Sequence, residues 1–202
     1  MFGTTILEER ESKYNGHVKV IKTFGIGTYI QCNGLTQSGG IVESIWRSTL
    51  RQIRNPTTKG VIQSEILNIL ILGLGGGTVA KLLRKKYPNA KITGVEIDPI
   101  MIEFGKKYLD LDKYNIDIKI ADARKFEINN YDLVIVDTYL GDSYIETTGS
   151  EPVRTNIAIF NRLYYGNKKQ EALKFGEKLK KLFKKVEIFY PTANVMFFCY
   201  NS

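Results

Sequence analysis

Cysteine and histidine are scarce in this chain of 202 residues, which has two of the first and one of the second. His17, Cys32 and Cys199 show no metal-ligand spacing, so no zinc site and no other metal site is expected. The two cysteines stand in separate strand-like settings and are expected to pack as small hydrophobes. No apolar stretch approaches the roughly 18 residues that suggest a membrane span. The first residues, Met1-Phe2-Gly3-Thr4-Thr5-Ile6-Leu7, run straight into Glu8-Glu9-Arg10 without the pattern of a secretory leader. The expectation is a cytoplasmic protein that does not engage a membrane. Internal repeats and low-complexity tracts are not apparent.

With 43% hydrophobic residues the chain can bury one sizeable core, and no linker divides it. The net charge is +8, with lysines concentrated at Lys168-Lys169, Lys178, Lys180-Lys181 and Lys184-Lys185. Ala172, Phe175, Leu179 and Leu182-Phe183 recur there at helical spacing, which leaves the lysines on a solvated face. Basic and aromatic residues do not interleave, so a nucleic-acid partner is not expected.

The run Ile69-Leu70-Ile71-Leu72 has the length of a buried strand and stops at Gly73-Leu74-Gly75-Gly76-Gly77-Thr78. Helical spacing resumes through Val79, Leu82 and Leu83. Glycines at such a turn let the backbone bend sharply and approach a ligand. A second strand, Lys91 to Val95, ends in Glu96, about 20 residues beyond the turn, where an acid reaches ribose hydroxyls in dinucleotide folds. On spacing alone, NAD and S-adenosylmethionine both fit, although Thr78 replaces the third glycine of the dinucleotide fingerprint.

Two more apolar strands finish in acids: Ile116 to Ala121 leads into Asp122-Ala123, and Tyr131 to Val136 leads into Asp137. Open parallel sheets bind ligands outside the carboxyl ends of their strands. For Asp122 alone, helix capping explains the residue equally well. Further on, the pattern predicts a strand at Asn156 to Arg162, a helix from Lys168 to Leu182, and an antiparallel pair at Val186 to Tyr190 and Val195 to Tyr200. The fold class is α/β, a Rossmann-like, doubly wound, mostly parallel seven-stranded sheet. The expected division is an N-terminal β-hairpin segment at residues 1–42 and a Rossmann-like domain at residues 43–202.

Together these acids resemble those of the polyamine aminopropyltransferases, the spermidine synthase family, on a class I methyltransferase-like fold. Glu11-Ser12-Lys13-Tyr14-Asn15, Phe24-Gly25 and Asn33-Gly34-Leu35-Thr36-Gln37-Ser38 strengthen the resemblance, because an ordinary methyltransferase has no reason to carry them. The resemblance implies that Asn15, Gln37, Gly73, Gly75, Gly76, Gly77, Glu96, Ile97, Asp122 and Ala123 hold the donor, with Glu96 on the ribose and Asp122 and Ala123 on the adenine. It implies Asp137 as the catalytic acid residue, and Glu43, Trp46, Arg47, Tyr139 and Asp142 as residues around an amine acceptor. In the family a primary amine attacks the carbon beside the sulfonium of decarboxylated S-adenosylmethionine. A free alkylamine has a pKa near that of lysine, about 10, so a placed carboxylate must accept its proton. The family often assembles through its N-terminal sheet, which implies a homodimer.

The chain also departs from the family pattern. Gly76 stands where the glycine loop of the family has an Asp, Arg47 where it has a His, and Leu140 where a second Asp follows Asp137, with Asp142 nearby. These changes make the pocket less acidic, and an inward-facing Arg47 would favour a donor that keeps its carboxylate. The opposite expectation has Arg47 on the solvated side of a helix from Glu43 to Arg54, with Trp46 and Leu50 buried. The segment between Asp137 and the next strand is short, and Tyr139, Tyr144 and Ile145 are the residues available to fold over a ligand. Three readings remain, in this order: aminopropyl transfer, methyl transfer from S-adenosylmethionine to a small molecule, and a degenerate nucleoside-binding domain. The absence of an Asn-Pro-Pro-aromatic motif argues against nucleobase methylation.

Overall fold

The computed structural model describes residues 3–53, 66–140, 143–145 and 155–201. The first strands, β1 (Thr4–Ser12), β2 (Gly16–Thr23), β3 (Gly27–Cys32) and β4 (Leu35–Gly39), form a four-stranded antiparallel meander. The sheet is larger than the expected hairpin. Asn33 and Gly34, both at positive φ, make the tight turn from β3 to β4, the geometry that matches strand twist.

Helix α1 (Gly40–Gln52) buries Ile45, Trp46, Thr49 and Leu50. It begins before the expected Glu43 and ends at Gln52; Arg54 lies outside the described residues. Then follow β5 (Asn68–Leu72), α2 (Thr78–Lys86), β6 (Lys91–Glu96), α3 (Pro99–Leu109), β7 (Asp117–Ile120) and β8 (Tyr131–Val136). A two-stranded ribbon, β9 (Tyr139–Leu140) and β10 (Ser143–Tyr144), precedes β11 (Thr155–Leu163), α4 (Lys168–Leu182), β12 (Lys185–Phe189) and β13 (Asn194–Tyr200). The helix expected at Lys168 to Leu182 forms over those residues, and the last three strands lie where the pattern puts them, within a residue at each end.

The main sheet has the order β12-β13-β11-β8-β5-β6-β7, with β13 antiparallel to both neighbours and the remaining pairs parallel. Central β5 is apolar throughout because both faces are covered. Ile69 and Ile71 pack with Trp46, Leu83 and Ile135 on one side, and Leu70 and Leu72 with Phe160, Leu179 and Phe197 on the other. Cys199 belongs to the second of these layers. Cys32 belongs to a third cluster, in which Val18, Val20 and Ile30 of the N-terminal sheet dock on Met101 and Phe104 of α3. The chain leaves β5 toward β6 on one side and reaches β8 on the other, so a crevice opens at their carboxyl ends, the usual ligand position of such sheets. Among the described residues no helix is long and apolar enough to cross a membrane.

Candidate active site

A cavity occupies this crevice. Its floor and walls include Gly73 and Gly75 after β5, Glu96 and Ile97 at the end of β6, Asp122, Ala123 and Arg124 after β7, and Asp137 and Thr138 after β8. The N-terminal sheet adds Asn15, Gln37 and Ser38. Four separate strand ends and the sheet before them thus converge on one space.

Gly73 has φ 84°, and a Cβ there would sit 2.1 Å from the carbonyl oxygen of Asp137, so no other residue fits this close approach of two strand ends. The amide of Gly75 donates to Glu96 Oε2 (2.8 Å), and the amides of Ile97 and Asp98 donate to Oε1 (2.9 and 3.0 Å). Burial pushes the Glu96 carboxyl above its ordinary range, and these amides oppose the shift. Behind it, Asp98 caps α3 through the amide of Ile100 and accepts from Ser12 Oγ (2.5 Å) and Asn15 Nδ2 (2.7 Å). Asp122 accepts from the Arg124 amide and pairs with its guanidinium (2.6 Å), which holds its carboxyl at about 2.

Asp137 lies at the carboxyl end of β8, between α1 and β11. Trp46 Nε1 donates to Oδ2 (3.1 Å) and Asn161 Nδ2 to Oδ1 (2.8 Å). Protein encloses most of this side chain, and burial raises its pKa against the pull of the two donors and of Arg162. A carboxylate of raised basicity that faces a cavity can take up a proton. Tyr139 Oη accepts from the Leu163 amide (2.9 Å) and donates to the Asn161 carbonyl (3.2 Å), which fixes the start of the ribbon beside Asp137.

Several expected residues lie elsewhere. Glu43 and Arg47 are absent from the cavity lining. They pair with each other on the outer side of α1, Lys81 Nζ donates to Glu43 (2.9 Å), and all three line a separate depression. The cause is helical spacing: Trp46 and Leu50 take the buried stripe, so Glu43 and Arg47, four apart, share the other. Of the two expectations for Arg47, the structure has the solvated side of the helix, and Glu43 and Arg47 do not border the cavity. Trp46 reaches the site through its indole N–H, without lining the cavity. Gly76 and Gly77 are also absent from the lining. A Cβ on Gly76 would meet Ile30 Cδ1 (2.6 Å), Leu109 Cδ1 (3.0 Å) and Ser38 Cβ (3.0 Å), so an acid at this position has no room unless these side chains move. Tyr139, Leu140 and Ile145 line the cavity, whereas Tyr144 packs on Arg162 and Phe175. Asp142 and the segment 146–154 lie outside the described residues.

Asn161 was not singled out from the sequence. The available signal was a polar pair, Asn161-Arg162, at the carboxyl end of an otherwise apolar strand. Among the described residues lining the cavity, Arg124 is the one cation and it is tied to Asp122, while Glu96, Asp122 and Asp137 are acids. No group of three or more His, Cys, Asp or Glu among the described residues is arranged to hold a metal ion.

Comparison with known proteins agrees with this geometry. The family described as "Methyltransferase domain" matches residues 69–152. A polyamine aminopropyltransferase of Clostridium botulinum is 28% identical over 170 residues, covering 80% of this chain and 54% of the relative. The chain thus spans about half the length of the curated relatives it matches in this way. Among solved structures, spermidine synthase from Thermotoga maritima superposes with a TM-score of 0.71 at 18% identity, covering 98% of this chain and 73% of that one. Human methyltransferase-like protein 13 in complex with SAH gives a TM-score of 0.55 at 21% identity, covering 80% and 82%. The chain has a divergent spermidine synthase-like fold of the class I methyltransferase type.

Proposed function

We propose that this protein transfers an aminopropyl group from decarboxylated S-adenosylmethionine to a polyamine or another small amine. The observation that carries the proposal is the Asp137 carboxylate, held deep in the cavity by Trp46 and Asn161. The acceptor nitrogen bonds to the carbon beside the sulfonium, the carbon–sulfur bond breaks with its electron pair going to sulfur, and the amine proton passes to Asp137. Glu96 holds the ribose hydroxyls, while Ile97, Asp122 and Ala123 surround the adenine. Gln37 and Asn15 close the donor side, Gly73 and Gly75 admit the ligand backbone to backbone, and Tyr139 borders the acceptor. Residues 1–42 serve as the segment that completes the cavity of a catalytic domain at 43–202.

The lining favours the decarboxylated donor. Both donors carry a sulfonium and an ammonium, but the decarboxylated one adds no carboxylate to a lining that already holds Glu96, Asp122 and Asp137. A donor that keeps its carboxylate needs a cation, and Arg124 is already engaged by Asp122. Methyl transfer to a small molecule is the second reading, favoured by the match to the methyltransferase domain. Calorimetry of both donors with the purified protein at one salt concentration separates the two. Tighter binding of the decarboxylated donor is expected, preference for the carboxylated one would move the protein to methyl transfer, and binding of neither would leave a degenerate nucleoside-binding domain.

A further inference from the structure

We infer that Asn161, itself fixed by Asn194, is a positioning residue that sets the orientation and basicity of the Asp137 carboxylate. This rests on the proton-accepting role proposed for Asp137. An asparagine amide can face a partner with either end, and here the ionised carboxylate, which only accepts, decides which. Asn161 Nδ2 donates to Asp137 Oδ1 (2.8 Å), which turns Asn161 Oδ1 to the far side, where it accepts from Asn194 Nδ2 (2.8 Å). Flipping Asn161 would set two acceptors and two donors against each other.

The chain of amides crosses three adjacent strands, from β13 through β11 to the end of β8, and both asparagines are buried, at 7% and 6% exposure. The backbone of Asn161 is pinned as well, since its carbonyl accepts from Tyr139 Oη (3.2 Å) and Arg162 Nη1 (2.6 Å). A buried amide in an apolar strand is costly unless satisfied, and the partners this one has are Asn194 and Asp137. A carboxylate offers about four acceptor sites. Asn161 and Trp46 take one on each oxygen, which fixes the plane of the group and leaves the others for a ligand.

The titratable and charged groups near Asp137 are few. Arg162 of β11 lies on the other face of the strand, against Tyr144 of β10, and Tyr139 of β9 stands beside the carboxylate. Glu43 and Arg47 of α1 and Lys81 of α2 point to the separate depression. Removing Asn161 therefore removes one of two neutral donors that favour the ionised acid, and the proton affinity of Asp137 rises.

The test is a carboxyl-13C NMR titration of the full chain from about pH 3 to about pH 9, with the Asp137 signal assigned by Asp137→Asn. In Asn161→Ala the Asp137 midpoint is expected to rise by about one pH unit, the equivalent of one hydrogen bond to a charged group. Asn194→Ala, which frees Asn161 without removing it, gives a smaller rise in the same direction and decides the matter if Asn161→Ala does not fold. Unchanged midpoints would overturn the inference. A second arm follows turnover of decarboxylated S-adenosylmethionine and putrescine against pH: the acid limb moves up with the midpoint while donor affinity stays constant. A wild-type protein without turnover would remove the proposed reaction, and the titration would still decide the role of Asn161.

Discussion

At the scale of single residues, Asp137 and Gly76 separate what the site needs from what it excludes. Replacing Asp137 by Asn is expected to lower the transfer rate by roughly 10²–10⁴-fold, the usual worth of a placed acid or base, with donor affinity within a few-fold of wild type. Loss of donor affinity in step with rate would show that the carboxylate binds and does not take the proton. Because burial raises the pKa of Asp137 and the reaction needs it ionised, the acid limb of the pH profile lies above the usual aspartate range and activity falls as pH drops through it. Gly76→Asp would restore the charge of the family pattern on paper, yet its Cβ would meet Ile30 and Leu109. The expected result is a loss of about 1–3 kcal/mol of stability from overpacking, measured by denaturant unfolding, and no gain in affinity for the decarboxylated donor. A tighter-binding variant would contradict the direction of this glycine.

At the scale of elements, the docking of β1 on α3 is expected to depend on pH. Glu8 accepts from Lys107 Nζ and Tyr108 Oη (2.7 Å each) and from Arg10, and these partners, Lys107 first, hold its carboxyl at about 2. A folded pKa below the unfolded value near 4.3 means the contribution is present above that value and is lost as pH falls toward the folded one. The protection of β1 and β2 amides, their exchange rates referred to the intrinsic rate at each pH, should therefore fall between about pH 4 and about pH 2. Glu8→Gln should exchange faster at neutral pH and lose that dependence. Elements of this kind were legible wherever the signal was local. The apolar run into the glycines, the acid ending each strand and the spacing of Ala172, Phe175 and Leu179 are periodicities within a dozen or so neighbours. What was not legible depends on partners distant in sequence. Asn161 meets Asp137 only because β11 pairs with β8, and the direction of Gly76 is set by Ile30 of another sheet. The side of α1 that carries Arg47 was a choice of stripe, settled when Trp46 found the core.

At the scale of the molecule, the N-terminal sheet is a wall of the site as well as a neighbour of it. Its apolar side covers Met101 and Phe104 on α3, and its polar edge is joined to the ligand loops. Ser38 Oγ accepts from the Gly76 amide (2.8 Å), the Gly39 amide donates to Thr78 Oγ1 (2.7 Å), and Ser12 and Asn15 reach Asp98 behind Glu96. Phe104 is fully buried there, so Phe104→Ala should cost about 3–5 kcal/mol of stability through the cavity it leaves. Ser38→Ala removes no comparable volume. It leaves the buried Gly76 amide without its partner, at a cost of about 1–3 kcal/mol, at the loop that approaches the donor. The two variants should therefore differ in kind. At a temperature where both are folded, Phe104→Ala should bind S-adenosylmethionine analogues nearly as wild type does, while Ser38→Ala should bind them several-fold more weakly for a smaller drop in melting temperature. Calorimetry beside thermal unfolding reads both quantities on the same samples. Equal affinities in the two variants would mean that the sheet supports the core by packing alone, and that the glycine loop keeps its shape without it.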